Sequence, residues 1–314
     1  MKPLMPAVAV SLLLATSLMA EQVQIDGPNG PLAAELIPVA GADHAVVIIP
    51  GSGPTDRDGN SPQSGLYSDT YRMLAESLAA QGVTTLRIDK RGFFSSSDAI
   101  SDPNDVTISE YAQDARDWVA HAAQLAPCVW IAGHSEGGLV ALVAAQKPPE
   151  ELCGLILMAT AGRPVGQLML EQMRAMPANA PLMSDLETII DALEAGRTSD
   201  PSALPRALQP IFTAGVQRYM IDLFSYDPIL FAGEWEGPTL ILQGNADMQV
   251  KPQDADLLAA ALPQATMKAL TNATHMLKTD VPGQPFVTYT DRTLPLHRDL
   301  VPTITEFLDK NPGP

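Results

Sequence analysis

Cysteine is almost absent: the 314-residue chain has two, Cys128 and Cys153, enough for one bridge at most and too few for a thiol cluster around a metal. Positive charge is also scarce. Nineteen Lys and Arg stand against 36 Asp and Glu, for a formal charge of −17. Such a surface repels nucleic acid and anionic membranes, so neither is expected as a partner. There is no metal-ligand cluster, no phosphate-binding loop and no dinucleotide fingerprint, and no metal or cofactor is expected. Internal repeats and low-complexity tracts are missing too. What remains is the composition of an ordinary globular protein, 46% apolar and 18% charged, at a length that suits one α/β domain with an insertion.

The opening "MKPLMPAVAVSLLLATSLMA" has one early lysine, an apolar stretch from Ala7 to about Leu14 and small residues around Ala20. It is short for a membrane span and reads as a secretory signal over residues 1–20. An uncleaved anchor helix is the alternative, because Leu18 fits poorly three residues before a cut. No cysteine follows the cut, so a lipid anchor is not expected. The expectation is an exported protein, periplasmic or secreted, without stable membrane association once the signal is removed. Removal takes away Lys2 and no acid, leaving the chain slightly more acidic.

Beyond the signal, short strand-like pieces lead to "HAVVIIPGSGP", a buried strand running into a glycine-rich turn. "YRMLAESLAAQG" has helical spacing and a glycine stop, and "VTTLRIDKRG" reads as the next strand. Thr107, with Glu110 three residues on, predicts the capped start of a helix. A strand over 129–133, a helix and a strand over 154–159 follow. This alternation predicts a mostly parallel sheet with helices on both faces. From residue 162 to 237 strands disappear and helical stretches separated by prolines take over. The alternation then resumes, ending in a helix near 298–309. The reading is a core formed by 21–161 and 238–314, interrupted by a helical lid at 162–237. Cys128 and Cys153 each begin one of two strand-like runs. If those runs are parallel neighbours, the thiols lie at one sheet edge within bridging distance; a disulfide and two buried free thiols both remain open.

The chemistry centres on "GHSEG", the one G-x-S-x-G in the chain. A strand before it and a helix after it are what a nucleophile elbow requires. There the serine, Ser135, is held in a strained turn, and Gly133 and Gly137 remove side chains that would collide. A serine hydroxyl needs a base, and the base needs an orienting acid, in the chain order serine, acid, histidine on such a fold. Asp247 in "QGNADMQV" and His275 in "NATHMLK" each follow a strand end, on the sheet edge of Ser135. His297 reads as a surface residue and His134 as a packing one. Oxyanion donors are expected from the backbone N–H of Glu136 and of Ser52. Ser52 is a poor candidate nucleophile, lacking an elbow.

Together "PGSGPTDRDGN", "DKRG", "GHSEGG", "QGNADMQV" and "THMLK", in this order, resemble bacterial α/β-hydrolases of the esterase and serine aminopeptidase-like kind, over residues 45 to 310. The resemblance implies the α/β-hydrolase fold, a triad of Ser135, Asp247 and His275, and a small-molecule ester substrate. One departure lies in "DKRGFFSSS", where more glycine is expected than the bulky Phe93 and Phe94.

The leading expectation is therefore a serine hydrolase of carboxylic esters with short to medium acyl chains. A peptidase, aminopeptidase or amidase on the same triad is the runner-up, with Glu136 as a candidate acid for a substrate amine. A non-catalytic binding protein on this fold is the third reading. Asp56, Arg57 and Asp58 are expected to form a structural network beside the oxyanion turn rather than bind substrate. Met169, Met173, Met176, Met183 and Met220 suit either an adaptable apolar pocket or the core of the lid.

Overall fold

The computed structural model describes residues 19–313, so the signal assigned to residues 1–20 lies almost wholly outside the described residues. The chain starts with β1 (Glu21–Ile25), β2 (Leu32–Ile37) and β3 (His44–Ile49). A two-stranded hairpin, β4 (Asn60–Ser61) and β5 (Leu66–Tyr67), leads into α1 (Thr70–Ala79). Then come β6 (Thr84–Ile88), α2 (Ile108–Ala122), β7 (Cys128–His134), α3 (Glu136–Ala144) and β8 (Leu152–Met158). Four helices follow without a strand: α4 (Val165–Arg174), α5 (Met183–Glu194), α6 (Ala214–Phe224) and α7 (Pro228–Gly233). The alternation resumes with β9 (Thr239–Gly244), α8 (Pro252–Ala261) and β10 (Thr266–Leu270), and closes with α9 (Val287–Thr290) and α10 (Leu300–Lys310).

Eight strands form one sheet in the order β1-β2-β6-β3-β7-β8-β9-β10. β1 and β2 pair antiparallel, β2 meets β6 antiparallel, and the remaining pairs are parallel. The period of two along each strand divides the core. Ala45, Val47 and Ile49 of β3 pack into the layer of α2, α3 and α8, while Val46 and Ile48 face that of α1 and α10. Both faces are covered, and β3 and β7 are accordingly buried at every residue. Trp130, fully buried, passes over β8 only because residue 154 is glycine: a Cβ there would lie 2.5 Å from the indole.

The cap of α2 closes reciprocally, with the Glu110 N–H on the Thr107 hydroxyl and the Thr107 N–H on the Glu110 carboxylate. Cys128 and Cys153, at the starts of the neighbouring β7 and β8, are joined by a disulfide with Cα atoms 5.5 Å apart. Between β8 and β9, Leu186, Ile189, Ile190 and Leu193 of α5 belong to the same apolar body as the sheet and α2.

Candidate active site

Three tight approaches form the corner between β7 and α3. Ser135 sits at φ 55°, ψ −119°, a conformation costly for a residue with a Cβ, and its N–H is tied to the Met158 carbonyl at 2.9 Å. Gly133 faces the backbone of Gly137, where a Cβ would come within 2.2 Å of the carbonyl oxygen. At Gly137 it would lie 2.4 Å from the Ile49 oxygen, and at Gly138 2.0 Å from the Thr160 hydroxyl. The third glycine of this seat, Gly138, was not singled out in the sequence because G-x-S-x-G ends one residue earlier.

His275 lies on a loop closed by the Ala273–Thr279 bridge and anchored from two sides. Thr70 Oγ1 donates to the Met276 carbonyl at 3.0 Å, and the buried Lys278 ammonium donates to the Ser68 carbonyl at 2.6 Å. His275 Nδ1 is 2.8 Å from Asp247 Oδ2. The other carboxylate oxygen accepts the N–H groups of Gln249 (2.7 Å) and Val250 (3.0 Å). Burial pushes the Asp247 carboxyl up, but the His275 ring and these N–H donors outweigh it and hold the group below its ordinary value. An ionised Asp247 accepts from Nδ1–H, which leaves Nε2 of a neutral His275 as the basic nitrogen. Ser135 and His275 line the same cavity without a hydrogen bond between their side chains. Such contacts are often long before substrate is bound.

The turn after β3 passes beside the nucleophile position: a Cβ on Gly51 would be 3.4 Å from that of Ser135. Neither the Ser52 N–H nor the Glu136 N–H donates to another group of the described residues. Thr55 Oγ1 donates to the Ser52 carbonyl at 2.9 Å and steadies the turn. The neighbouring Asp56, Arg57 and Asp58 point into a structural network. Asp56 Oδ1 accepts from the N–H groups of Asp58 and Asn60, Arg57 pairs with Asp89, and Asp58 with Arg87.

Two cavities meet at Ser135 and Ser52. One, about 700 Å³, is walled by Leu139, Leu168, Met169, Met173, Met220 and Phe93. The other, about 650 Å³, holds His275 and is bordered by Met176, Met248, Phe286 and Tyr289. Met169, Met173 and Met220 thus face the first cavity, whereas Met176, 54% exposed, lies at the rim of the second. Met183 lines neither and packs on the core. Phe94 adopts φ 47° and stands exposed, while Phe93 becomes cavity wall.

Two histidine readings change. His297 is buried, not superficial: its Nε2 meets the Thr271 carbonyl at 3.0 Å and its N–H donates to the Leu277 carbonyl at 2.7 Å. His134 does more than pack. Its Nε2 lies 2.8 Å from the His275 carbonyl, which only accepts, so Nε2 carries the proton and Nδ1 accepts from Tyr71 Oη at 2.7 Å. Tyr71 Oη in turn accepts the Gly51 N–H at 3.1 Å. Burial, followed by the nearby His275, pushes His134 down to about 3. Tyr71 was missed because its helical spacing matches that of a core residue. Glu136 is partly engaged: Oε1 is 2.9 Å from Lys90 Nζ, while the buried Oε2 has no hydrogen-bond partner among the described residues.

A parallel sheet with helices on both faces, and a serine on a strained strand-to-helix turn at its edge, define the α/β-hydrolase fold. The family model described as serine aminopeptidase, S33, matches residues 64–207, which include Ser135 and stop short of Asp247 and His275. Esterase EstD of Thermotoga maritima is 27% identical over 217 residues, 68% of this chain and 48% of the relative. This chain therefore spans about half the length of that relative. Lipase 3 of a Moraxella species is 22% identical over 222 residues, 66% of this chain and 68% of the relative. In structure, an esterase of Pyrococcus furiosus superposes with a TM-score of 0.61 at 17% identity, over 98% of each chain.

Proposed function

We propose that this protein is an exported serine hydrolase that cleaves carboxylic esters of short to medium acyl chain through an acyl-enzyme. The observation that carries the reading is the strained Ser135 sharing a cavity with the hydrogen-bonded His275–Asp247 pair. In this mechanism Ser135 Oγ attacks the ester carbonyl while His275 Nε2 takes its proton. Asp247 holds the tautomer and stabilises the imidazolium, and the N–H groups of Ser52 and Glu136 receive the oxyanion. His275 then returns the proton to the departing alcohol oxygen, and water attacks the acyl-enzyme by the reverse route.

That proton delivery orients the substrate. The alcohol leaves on the His275 side, in the cavity rimmed by Met176, Met248 and Phe286. The acyl chain takes the cavity of Leu168, Met169 and Met173, roofed by the helical segment, which serves as the lid. An apolar roof excludes water and strengthens the oxyanion contacts. Export is supported by the signal-like residues 1–20 and by the Cys128–Cys153 bond, which suits an oxidising compartment.

Covalent labelling by a fluorophosphonate, mapped to Ser135, tests the assignment together with the Ser135→Ala variant. That variant should stay folded and lose at least ~10³-fold in ester turnover. Near-normal turnover in folded Ser135→Ala protein refutes it.

A further inference from the structure

One buried cation has no role in the mechanism above. Lys90, two residues past β6, is only 2% exposed. Its ammonium donates to the Gly51 carbonyl at 2.7 Å and to Glu136 Oε1 at 2.9 Å, and it lies 5.2 Å from the centre of the Tyr111 ring. Burying an ammonium is unfavourable unless it is paired and hydrogen-bonded, so the direction of its bonds is informative.

The Gly51 carbonyl and the Ser52 N–H are opposite ends of one planar peptide. A cation on the oxygen fixes the plane, aims the N–H the other way and polarises it. The second partner, Glu136, carries the other oxyanion N–H on its own backbone. On the far side of Gly51, Tyr71 holds the preceding N–H, so Lys90 alone governs the peptide that bears the donor.

We propose that Lys90 is the positioning residue of the oxyanion site, tying the Gly51–Ser52 peptide to Glu136 so that both N–H donors converge beside Ser135. The proposal rests on the reading of Ser135 as nucleophile and of these N–H groups as oxyanion donors. A group with this role acts on the transition state and leaves ground-state binding almost untouched.

The test uses the whole chain, p-nitrophenyl butyrate as substrate, and a trifluoromethyl ketone whose serine adduct carries an oxyanion. Lys90→Met should lower kcat about 10- to 100-fold, leave KM within about threefold, and weaken the ketone by the same factor as kcat. Because Lys90→Met strands a buried carboxylate, Lys90→Met/Glu136→Gln is measured beside it and should show the same losses. A folded double variant with kcat and ketone affinity within about threefold of wild type overturns the Lys90 assignment alone. A loss expressed wholly in KM overturns it too. A wild-type protein that neither cleaves the ester nor binds the ketone overturns the underlying reading, and the assignment with it.

Discussion

His134 makes the protein acid-sensitive at a place far from its surface charge. Its neutral ring bridges Tyr71 and the His275 backbone, and burial pushes it down from an ordinary 6.5 to about 3. The titratable groups facing it are His275, which pushes it down further, and Asp247, which opposes that. A group depressed in the folded state contributes stability that is complete above its unfolded value and is lost as pH falls towards its folded one. Below pH 6.5 the unfolded chain takes up a proton that the native ring refuses. Each pH unit then costs the native state about 1.4 kcal/mol, so roughly 3 kcal/mol is lost between pH 6.5 and pH 4. His134→Gln retains a donor for the His275 carbonyl but does not titrate. It should be less stable at pH 7, yet lose roughly 3 kcal/mol less than wild type on the same acid path. Urea unfolding of both proteins at half-unit pH steps measures the two slopes. Parallel curves, with the variant falling as steeply as wild type, refute the argument.

Three further outcomes follow from the geometry. Asp247→Asn should cost on the order of 10⁴ in turnover near neutral pH by favouring the wrong His275 tautomer; steady-state kinetics check it, and Asp254→Asn serves as a contrast, since Asp254 binds Arg163 and the Gly162 N–H instead. Across a series of p-nitrophenyl esters, kcat/KM should rise by about 0.8 kcal/mol per methylene until the acyl cavity is full. Met173→Gln should flatten that rise, whereas Met176→Gln at the other rim should leave it in place. Reduction of the Cys128–Cys153 bond releases a loop of 25 residues and should destabilise the fold by roughly 3.5 kcal/mol on chain-entropy grounds; melting with and without reductant reads this directly.

The gathering of Ser135, Asp247 and His275 at one sheet edge was legible in the sequence because each follows a strand, and strand ends of a parallel sheet gather at one edge. The alternation of strand and helix was legible for a similar reason, since burial on both faces writes continuous apolar runs. What escaped was every feature made by distant partners. Lys90 stands in a visible motif, but its role depends on Gly51 and Glu136, 39 and 46 residues away. His134 carries no local sign that its ring will bridge a tyrosine and a carbonyl 141 residues on. His297 looked superficial beside "LPL" because the loop that covers it is built from Thr271 and Leu277. The five methionines, spread from α4 to α6, looked alike in the sequence, and only the packing of those helices sorted them into two cavities and the core.

The helical segment between β8 and β9 carries an apolar interior of its own. Leu186, Ile189, Ile190, Leu193, Phe212 and Leu223 are all 5% exposed or less and continuous with the core under the sheet. These side chains pack chiefly within the segment, α5 against α4 and α6, while the segment meets the rest of the protein where α6 lies beside residues 103–105 and where α7 packs on α3 and α8. On the proposed reaction, ester and alcohol would pass the far end of α4, where Met173 is half-buried and Met176 stands exposed. A size filter edged by these two thioethers would make selectivity respond to single side chains at that edge.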